Sequence, residues 1–472
     1  MNNTNPLEIS PAQFRRLADR ITALAADYLE NLDNRAIADT TSGIQTQQLF
    51  HAPLPESGMG EAALDALQQV TRLSRAQNGR FFGYVLGSGE PVAATADLLA
   101  SVINQNVTSW RSAPSAMQLE HTVVGWIAEA MGCGGFRGHL TGGGSSANLM
   151  GLAMAREAIA PANETGNDKR GVIYASDEVH MSIPKSIALL GIGRRRLRLI
   201  PTGDSFCMRP EDLDAEIRRD KAGGKIPIAV VASAGTISTG AIDPLRAIAR
   251  IAREHGAWLH VDGAYGALAA MAARDQFDGL DLADSISLDP HKWLYQPLDC
   301  GCLLYRSAEA AQKAFAHTGD YARTLSADPI EGFAFFEESI ELSRRFRALK
   351  LWLSLRYHGV AAFRESIRRD LQHARRLAGA IRKEKHLELL APVELSAVCF
   401  RHVGRGGLSE DELNALNLAI LARVVARGRV YLSNASLRGK FALRACIVNH
   451  RTTDADIDSV ISEVLAAAGN LT

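Results

Sequence analysis

The sequence has little of what marks several classes of protein. Six cysteines among 472 residues are too few for a disulfide-braced fold, and Cys300-Gly301-Cys302 lacks the spacing of a zinc site. The 52 Lys+Arg balance the 52 Asp+Glu, so no net charge attracts nucleic acid or an anionic membrane. No apolar run approaches the roughly 20 residues of a membrane span, and the N-terminus has no leader-like segment. These absences predict a soluble, cytoplasmic protein with no metal site and a small-molecule ligand.

The composition, 47% hydrophobic and 22% charged, is that of a globular protein with a large core. Ser10-Pro11 is a typical helix start, and apolar residues then recur every three or four positions. This pattern predicts an amphipathic helix from Pro11 to about Leu32. Residues from about 32 to 60 are polar and irregular. Because one helix cannot bury its own apolar stripe, we expect residues 1–78 to form a helical arm that packs on another surface.

Short apolar runs alternate with helical stretches between about residues 80 and 310. The alternation predicts an α/β fold, with a mostly parallel sheet and helices on both faces, in a large domain over residues 79–355. A helical region through Arg382 and later strand candidates predict a smaller α+β domain over residues 356–472. The strand candidates are 172–175, 228–232, 258–261, 286–288 and 302–305 in the large domain, and 398–401, 430–432 and 441–446 in the small one.

A glycine-rich turn is the first candidate ligand site. Leu140-Thr141-Gly142-Gly143-Gly144-Ser145-Ser146-Ala147-Asn148 precedes a helix-forming run. Glycines let the backbone approach a ligand closely, and the N–H groups and dipole at a helix start favour an anion such as a phosphate. The turn matches neither a Walker A nor a dinucleotide-binding motif, and a plain tight turn is the alternative interpretation.

Asp262 and Lys292 each follow an apolar run that predicts a strand. Ligands of α/β proteins bind at the carboxyl ends of parallel strands, so both side chains are candidates for a binding crevice. Alternatively, the aspartate caps a helix and the lysine is a solvated surface residue. A phosphate turn, a carboxylate and a lysine in this order are together what pyridoxal phosphate requires: an anchor, a partner for the pyridine nitrogen and an amine that forms a Schiff base.

Three longer motifs carry a resemblance to a known family: Ser109-Trp110-Arg111-Ser112-Ala113-Pro114, Asp289-Pro290-His291-Lys292-Trp293 and Arg344-Arg345-Phe346-Arg347-Ala348-Leu349-Lys350-Leu351-Trp352. They resemble the group II pyridoxal-phosphate-dependent amino-acid decarboxylases, especially the aromatic L-amino-acid decarboxylases and their plant relatives. The resemblance implies pyridoxal-phosphate fold type I, as in aspartate aminotransferase, with a seven-stranded sheet. It also implies a homodimer with shared active sites.

The resemblance assigns cofactor contacts to residues of this chain. Lys292 would hold the cofactor as a Schiff base, Asp262 would pair with the pyridine nitrogen, and His180 would stack on the ring. A carboxylate at that nitrogen keeps it protonated, so the ring accepts the electron pair left when CO2 departs. Without the resemblance, His180 would be interpreted as a structural histidine. The other implied contacts are Gly143, Gly144 and Ser145 at the phosphate, His291 near the phosphate, Ala264 against the ring and Ser233 close to the cofactor.

The resemblance also implies residues that act on the substrate. In the family, a tyrosine on a mobile loop of the neighbouring subunit protonates the carbanion, and an ungapped comparison puts Phe335 at its position. Phenylalanine has no proton to donate, and in plant relatives phenylalanine there is associated with aldehyde synthases. The alternative is that the loop is misaligned and that Tyr321 or a water supplies the proton. The implied substrate pocket, which favours tyrosine, DOPA or phenylalanine, consists of Tyr84, Val85, Leu86 and Ser343.

We therefore expect a carboxy-lyase that decarboxylates an aromatic L-amino acid, with pyridoxal phosphate as cofactor, and releases CO2 and the amine. One alternative is an oxygen-dependent route to an aromatic acetaldehyde, ammonia and hydrogen peroxide. Transamination on the same fold is another. A third, from a different class, is a non-enzymatic module that binds a phosphate-bearing ligand at the glycine turn.

Overall fold

The computed structural model describes residues 5–38, 41–317 and 328–469. The chain begins with helices α1 (Pro11–Glu30), α2 (Gly43–Phe50) and α3 (Leu67–Leu73). Ser10 caps α1 as expected: its side chain accepts a hydrogen bond from the Gln13 backbone, and the Gln13 side chain accepts one from the Ser10 backbone. No residue of α1 is buried within the described part of one chain. The predicted amphipathic helix is therefore present, and its apolar stripe is only partly covered; the arm over residues 1–78 stays a prediction.

The larger sheet has seven strands over the described residues, which confirms the expected architecture. The strands are β1 (Arg137–Thr141), β2 (Gly171–Ser176), β3 (Leu197–Ile200), β4 (Ile226–Ser233), β5 (Trp258–Asp262), β6 (Ser285–Leu288) and β7 (Gly301–Tyr305). Their spatial order is β1-β7-β6-β5-β4-β2-β3. The pairs from β3 to β6 are parallel, whereas β7 is antiparallel to both β6 and β1. Strand β1 therefore points the same way as β6.

Helices cover both faces of this sheet. They are α4 (Pro91–Ile103), α5 (Pro114–Ala130), α6 (Gly144–Ile159), α7 (Ser182–Leu189), α8 (Pro210–Ala222), α9 (Leu245–His255), α10 (Pro290–Trp293) and α11 (Ala308–Phe315). Alternate side chains point to opposite faces of a strand. Tyr174 and Val230 pack with α5, α8 and α9, whereas Ile173 and Val231 pack with α6, α7 and α11. The two cores together hold the sheet and its strand ends in place.

The smaller domain contains an antiparallel sheet and three long helices. Helix α12 (Ala348–His358) packs into the core of the larger domain. The elements of the smaller domain are α13 (Val360–Lys383), β8 (Leu387–Leu389), β9 (Ala397–His402), α14 (Glu410–Arg427), β10 (Ser433–Leu437), β11 (Lys440–Cys446) and α15 (Asp454–Ala468), with the strand order β10-β11-β9-β8. The predicted strand at 430–432 is wrong, because the paired segment begins at Ser433. In its place, Tyr431 forms an isolated bridge with Phe81.

Helix α13 connects the two domains through its packing. Phe363, Ile367 and Leu371 belong to the core of the larger domain, whereas Ala374 and Leu377 belong to the core of the smaller one. The predicted domain boundaries, between residues 78 and 79 and between residues 355 and 356, stay predictions. None of the helices in the described ranges has both the length and the apolar composition that crossing a membrane requires.

Candidate active site

The carboxyl ends of β1, β2, β4, β5 and β6 meet at one edge of the larger sheet, where ligands of α/β folds bind. A cavity of about 300 Å³ lies at this edge. The predicted residues that line it are Gly143, Gly144, Ser145, His180, Ser233, Asp262, Ala264, His291 and Lys292. Residues that are far apart in sequence thus share one cavity because each follows a strand of the same sheet.

The glycine turn joins β1 to α6. Gly143 has a φ of 145°, which L side chains rarely adopt. A Cβ on Gly144 would lie 2.5 Å from the Cβ of Ala264, so a side chain there would collide with the cavity wall. Helix α6, sixteen residues long, starts at Gly144 and directs its N-terminal dipole to this cavity. The turn therefore forms an open cradle for an anion.

Asp262 is the last residue of β5, and its carboxylate is held by three donors. Its Oδ2 accepts a hydrogen bond from Asn148 Nδ2 at 3.0 Å, and its Oδ1 accepts from Ser287 Oγ at 3.0 Å. The Ala264 backbone N–H donates to Oδ1 at 3.3 Å. Only 7% of Asp262 is exposed. These contacts keep one orientation of a nearly buried carboxylate at the cavity wall.

Lys292 lies in the short helix α10, directly after β6. Its Nζ forms an ion pair with Asp289 Oδ2 at 2.7 Å. The other oxygen, Asp289 Oδ1, is buried and has no hydrogen-bond partner among the described residues. The backbone of Gly87 crosses closely over this helix: a Cβ on Gly87 would lie 2.4 Å from the Lys292 carbonyl oxygen. Close packing of the Gly87 backbone thus holds the backbone of Lys292 in place, while the Lys292 amine faces the cavity.

Two histidines line the same cavity. Burial lowers the pKa of His180 and that of His291, so both imidazoles are neutral near pH 7. His291 Nδ1 accepts a hydrogen bond from the Cys300 backbone at 3.3 Å. Ser233, the last residue of β4, is tied to Asp243, whose Oδ2 accepts from the Ser233 backbone N–H at 2.8 Å. Burial raises the pKa of the Asp243 carboxyl to about 6.

The arrangement fits pyridoxal phosphate on the structure's own evidence. Gly143 and Gly144 line the cavity without side chains, so the start of α6 is open to a phosphate there. The Lys292 amine and the Asp262 carboxylate lie on the walls of the same cavity. An anion site, an amine and an oriented carboxylate are the three contacts that this cofactor needs.

Four implied substrate residues lie outside the walls of this cavity. Tyr84 is 54% exposed, and its hydroxyl is 3.0 Å from that of Tyr431. Val85 is buried in the core, Leu86 is half-buried and Ser343 is exposed. The segment containing Tyr84 to Leu86 nevertheless approaches Lys292, because Gly87 N–H donates to the His291 carbonyl at 3.0 Å.

The expectation that Phe335 faces the substrate is not met in this conformation. Phe335 is 0% exposed. Its ring stacks on His121 with a centroid distance of 5.1 Å, and the Arg344 guanidinium lies 4.1 Å from its centroid. In this conformation the ring therefore lies outside the cavity of its own chain. Tyr321, the alternative proton donor, lies outside the described residues.

The sequence analysis assigned no role to several cavity residues. Asn148 bonds Asp262, Asp289 pairs with Lys292, and Glu178 lines the wall two residues before His180. The i,i+3 spacing of Asp289 and Lys292 on a short helix was a usable signal. Asn148 carried no such signal, because its partner is 114 residues away in the chain.

Comparisons with known proteins agree with this site. Residues 64–403 match the family model described as the pyridoxal-dependent decarboxylase conserved domain. An aromatic-L-amino-acid decarboxylase of Bacillus atrophaeus is 33% identical, over 98% of this chain and 97% of the relative. A phenylacetaldehyde synthase of Petunia hybrida is 30% identical, over 93% of this chain and 91% of the relative.

Among solved structures, Oryza sativa TDC with PLP and tryptamine superposes with a TM-score of 0.92 at 26% identity, covering 99% of this chain and 100% of that one. The match to the family model spans well over half of the chain. The chain therefore belongs to the pyridoxal-dependent decarboxylases, and it is a carboxy-lyase with pyridoxal phosphate as its cofactor.

Proposed function

We propose that this enzyme decarboxylates an aromatic L-amino acid and releases CO2 and the corresponding amine. The observation that carries the proposal is the convergence of Lys292, Asp262, His180 and the glycine turn on one cavity. The named relatives, which include aromatic-L-amino-acid, tryptophan and tyrosine decarboxylases, support the aromatic substrate class.

The charges of the cavity support a substrate with an uncharged side chain. Its charged wall residues are one ammonium, Lys292, and three carboxylates, Glu178, Asp262 and Asp289. Burial raises the pKa of Glu178, and both wall histidines are neutral near pH 7. The ammonium of the wall, Lys292, is already paired with Asp289, so the described residues of the wall offer an acidic side chain no free cation to pair with. An aromatic side chain needs no such partner.

Each site residue has a proposed role. Bound pyridoxal phosphate supplies a sink for the electron pair released when CO2 leaves. Lys292 would hold the cofactor covalently, and Asp262 would keep a proton on the ring nitrogen. The N-terminus of α6 with Ser145, together with His291, would hold the phosphate. His180 would cover the ring, and Ser233 and Ala264 would complete its pocket.

We propose that the functional unit is a homodimer with shared active sites. The apolar residues of α1 are exposed within one chain, for example Phe14 at 42% and Ile21 at 39%. Helix α4 likewise exposes Leu99 at 53% and Val102 at 54%. A second copy of the chain would cover these exposed apolar surfaces. An enzyme that sediments as a monomer and yet has full activity would contradict this assembly.

Aldehyde formation is the second candidate, since a phenylacetaldehyde synthase is among the relatives. The residue that suggested it, Phe335, is enclosed in the core. We therefore propose that the proton that Cα receives after CO2 departs comes from another group, either Tyr321 or a water. A donor of either kind favours the amine as product.

The test is an aerobic incubation of the cofactor-loaded enzyme with tyrosine, DOPA, phenylalanine, tryptophan and glutamate, in which CO2, amine, aldehyde and peroxide are measured together. Amine in equal amount to CO2, from an aromatic substrate, is the expected result. Aldehyde and peroxide in equal amount to CO2 would establish the second candidate. Turnover of glutamate alone would contradict the proposed substrate class.

A further inference from the structure

A chain of buried hydrogen bonds connects Asp262 to His180. Asn148 Nδ2 lies 3.0 Å from Asp262 Oδ2 and 2.8 Å from Ser182 Oγ. Ser182 Oγ in turn lies 2.8 Å from His180 Nδ1. Asn148 and Ser182 are 1% and 2% exposed. The pyridine-facing carboxylate and the ring-facing histidine are therefore joined through two side chains that water does not reach.

The direction of each bond follows from the groups involved. A carboxylate only accepts hydrogen bonds, so the group of Asn148 that faces Asp262 is its NH2. The same NH2 donates its second hydrogen to Ser182 Oγ. The Asn148 carbonyl oxygen then accepts from His260 Nε2 at 2.8 Å. The opposite amide orientation would place two acceptor oxygens 3.0 Å apart.

The buried histidine at the other end of Asn148 agrees with this direction. His260 donates from Nε2, so its Nδ1 accepts, and Ser285 Oγ lies 2.8 Å from that Nδ1. Ser285 also accepts from Trp258 Nε1 at 2.8 Å, which leaves its own hydrogen for His260. Burial lowers the pKa of His260 to about 4, so one neutral tautomer satisfies every donor and acceptor of this group.

Two donors then meet at His180 Nδ1. Ser182 Oγ accepts from Asn148 on one side, and its hydroxyl hydrogen can be donated to Nδ1 on the other. The Ser182 backbone N–H, which can only donate, also points to Nδ1 at 3.3 Å. A proton on Nδ1 would oppose both donors. The neutral imidazole must therefore carry its proton on Nε2, which has no hydrogen-bond partner among the described residues.

We propose that Asn148 and Ser182 are positioning residues, whose one-way hydrogen-bond chain from Asp262 fixes His180 in the tautomer that carries its proton on Nε2. His180 then offers a donor, and not a lone pair, to an acceptor oxygen of the molecule in the cavity. It serves as a hydrogen-bond donor at that face and cannot abstract a proton there. The proposal deepens the function proposed for the same cavity.

The test reads the tautomer directly. In cofactor-loaded enzyme with 15N-labelled histidine, the ring signals of His180 are assigned by comparison with His180→Gln. We expect the Nε2–H form in the parent enzyme. Ser182→Ala removes the hydroxyl donor, and the ratio of the two tautomers should move toward Nδ1–H by about three- to tenfold, the worth of one neutral hydrogen bond. Ser182→Thr keeps the hydroxyl and should restore the parent ratio.

Asn148→Leu provides a second variant that does not touch His180. Without the Asn148 donor, the Ser182 hydroxyl loses the contact that orients its hydrogen toward His180, so the Nδ1–H form should again increase. Ser186→Ala is the matched control, because Ser186 is an equally buried serine one turn further along α7 and lies outside the chain of bonds. Its tautomer ratio should equal that of the parent enzyme.

A parent enzyme in the Nδ1–H form would overturn the proposal, and so would a ratio that Ser182→Ala leaves unchanged. The signals are recorded without substrate, so their outcome is independent of which amino acid is decarboxylated. Conversely, an enzyme that forms aldehyde would contradict the proposed reaction and leave the tautomer assignment intact.

Discussion

Replacing Phe335 by tyrosine separates the two product hypotheses. If Phe335 occupied the position of the proton donor, Phe335→Tyr would convert an aldehyde-forming enzyme into an amine-forming one. The structure instead encloses the ring between His121 and Phe333, at centroid distances of 5.1 and 5.0 Å, with Arg344 at 4.1 Å. We therefore expect Phe335→Tyr to change stability and to leave the ratio of amine to CO2 unchanged.

The size of the stability change follows from this packing. The Phe335 ring is 0% exposed and packed against His121, Phe333 and Arg344, so an extra oxygen would crowd these neighbours. Crowding in a packed core costs about 1–3 kcal/mol, and a buried hydroxyl without a partner costs about as much. We expect the free energy of unfolding to fall by about 2–4 kcal/mol.

The measurement combines denaturant unfolding with product analysis on the same preparations. Phe336→Tyr is the matched control, since the neighbouring ring is half-buried and lines a separate cavity. The control should lose less than about 1 kcal/mol. The reasoning fails if Phe335→Tyr retains the parent stability and also raises the share of amine at the expense of aldehyde and peroxide.

Three further predictions concern single groups. Lys292→Ala should abolish both the visible absorbance of the bound cofactor and CO2 release, measured by spectroscopy and gas capture; an intact band would contradict the assignment. Burial raises the pKa of Asp370, whose Oδ2 accepts from Tyr295, from 3.8 to about 8. The folded state thus favours the neutral acid, and its stabilising contribution is full below about pH 4 and lost as the pH rises through about 8. Asp370→Asn should accordingly show a shallower loss of unfolding free energy than the parent enzyme between about pH 5 and pH 8; equal slopes would refute this. Arg344→Met, which strands the buried Glu120 carboxylate, should cost about 3–5 kcal/mol in denaturant unfolding, and adding Glu120→Gln should recover part of that loss.

Sequence patterns predicted the parts of the fold that depend on local composition. The runs that end at Asp262 and before Lys292 are short, apolar and followed by polar residues, so strand ends were visible. Strand β1 was not visible, because Arg-Gly-His-Leu-Thr has no apolar run, although His139 and Thr141 within it are fully buried. There, pairing with β7 determines the strand, and propensity does not.

Several residues that line the cavity were predictable from the sequence, whereas residues that act through another residue were less so. Asn148 and Ser182 act on Asp262 and His180, and nothing in their local sequence indicates those partners. Phe335 shows the opposite difficulty: an ungapped comparison places a residue in a loop by counting alone. The burial of Phe335 against Arg344 depends on tertiary packing, which an ungapped comparison of sequences does not include.

The antiparallel pairing of β1 with β7 also determines how late during synthesis the larger sheet can be completed. The two strands are more than 150 residues apart in the chain, and β7 is the only sheet neighbour of β1 among the described strands. At about 5–20 residues per second, roughly 8–30 s pass between the synthesis of one and that of the other. During this interval β1, which leads into the glycine turn, lacks its partner strand β7, and for most of it Lys292 has not been synthesised. The nascent chain therefore completes the sheet beside its glycine turn only after β7 has been made, when most of the larger domain already exists.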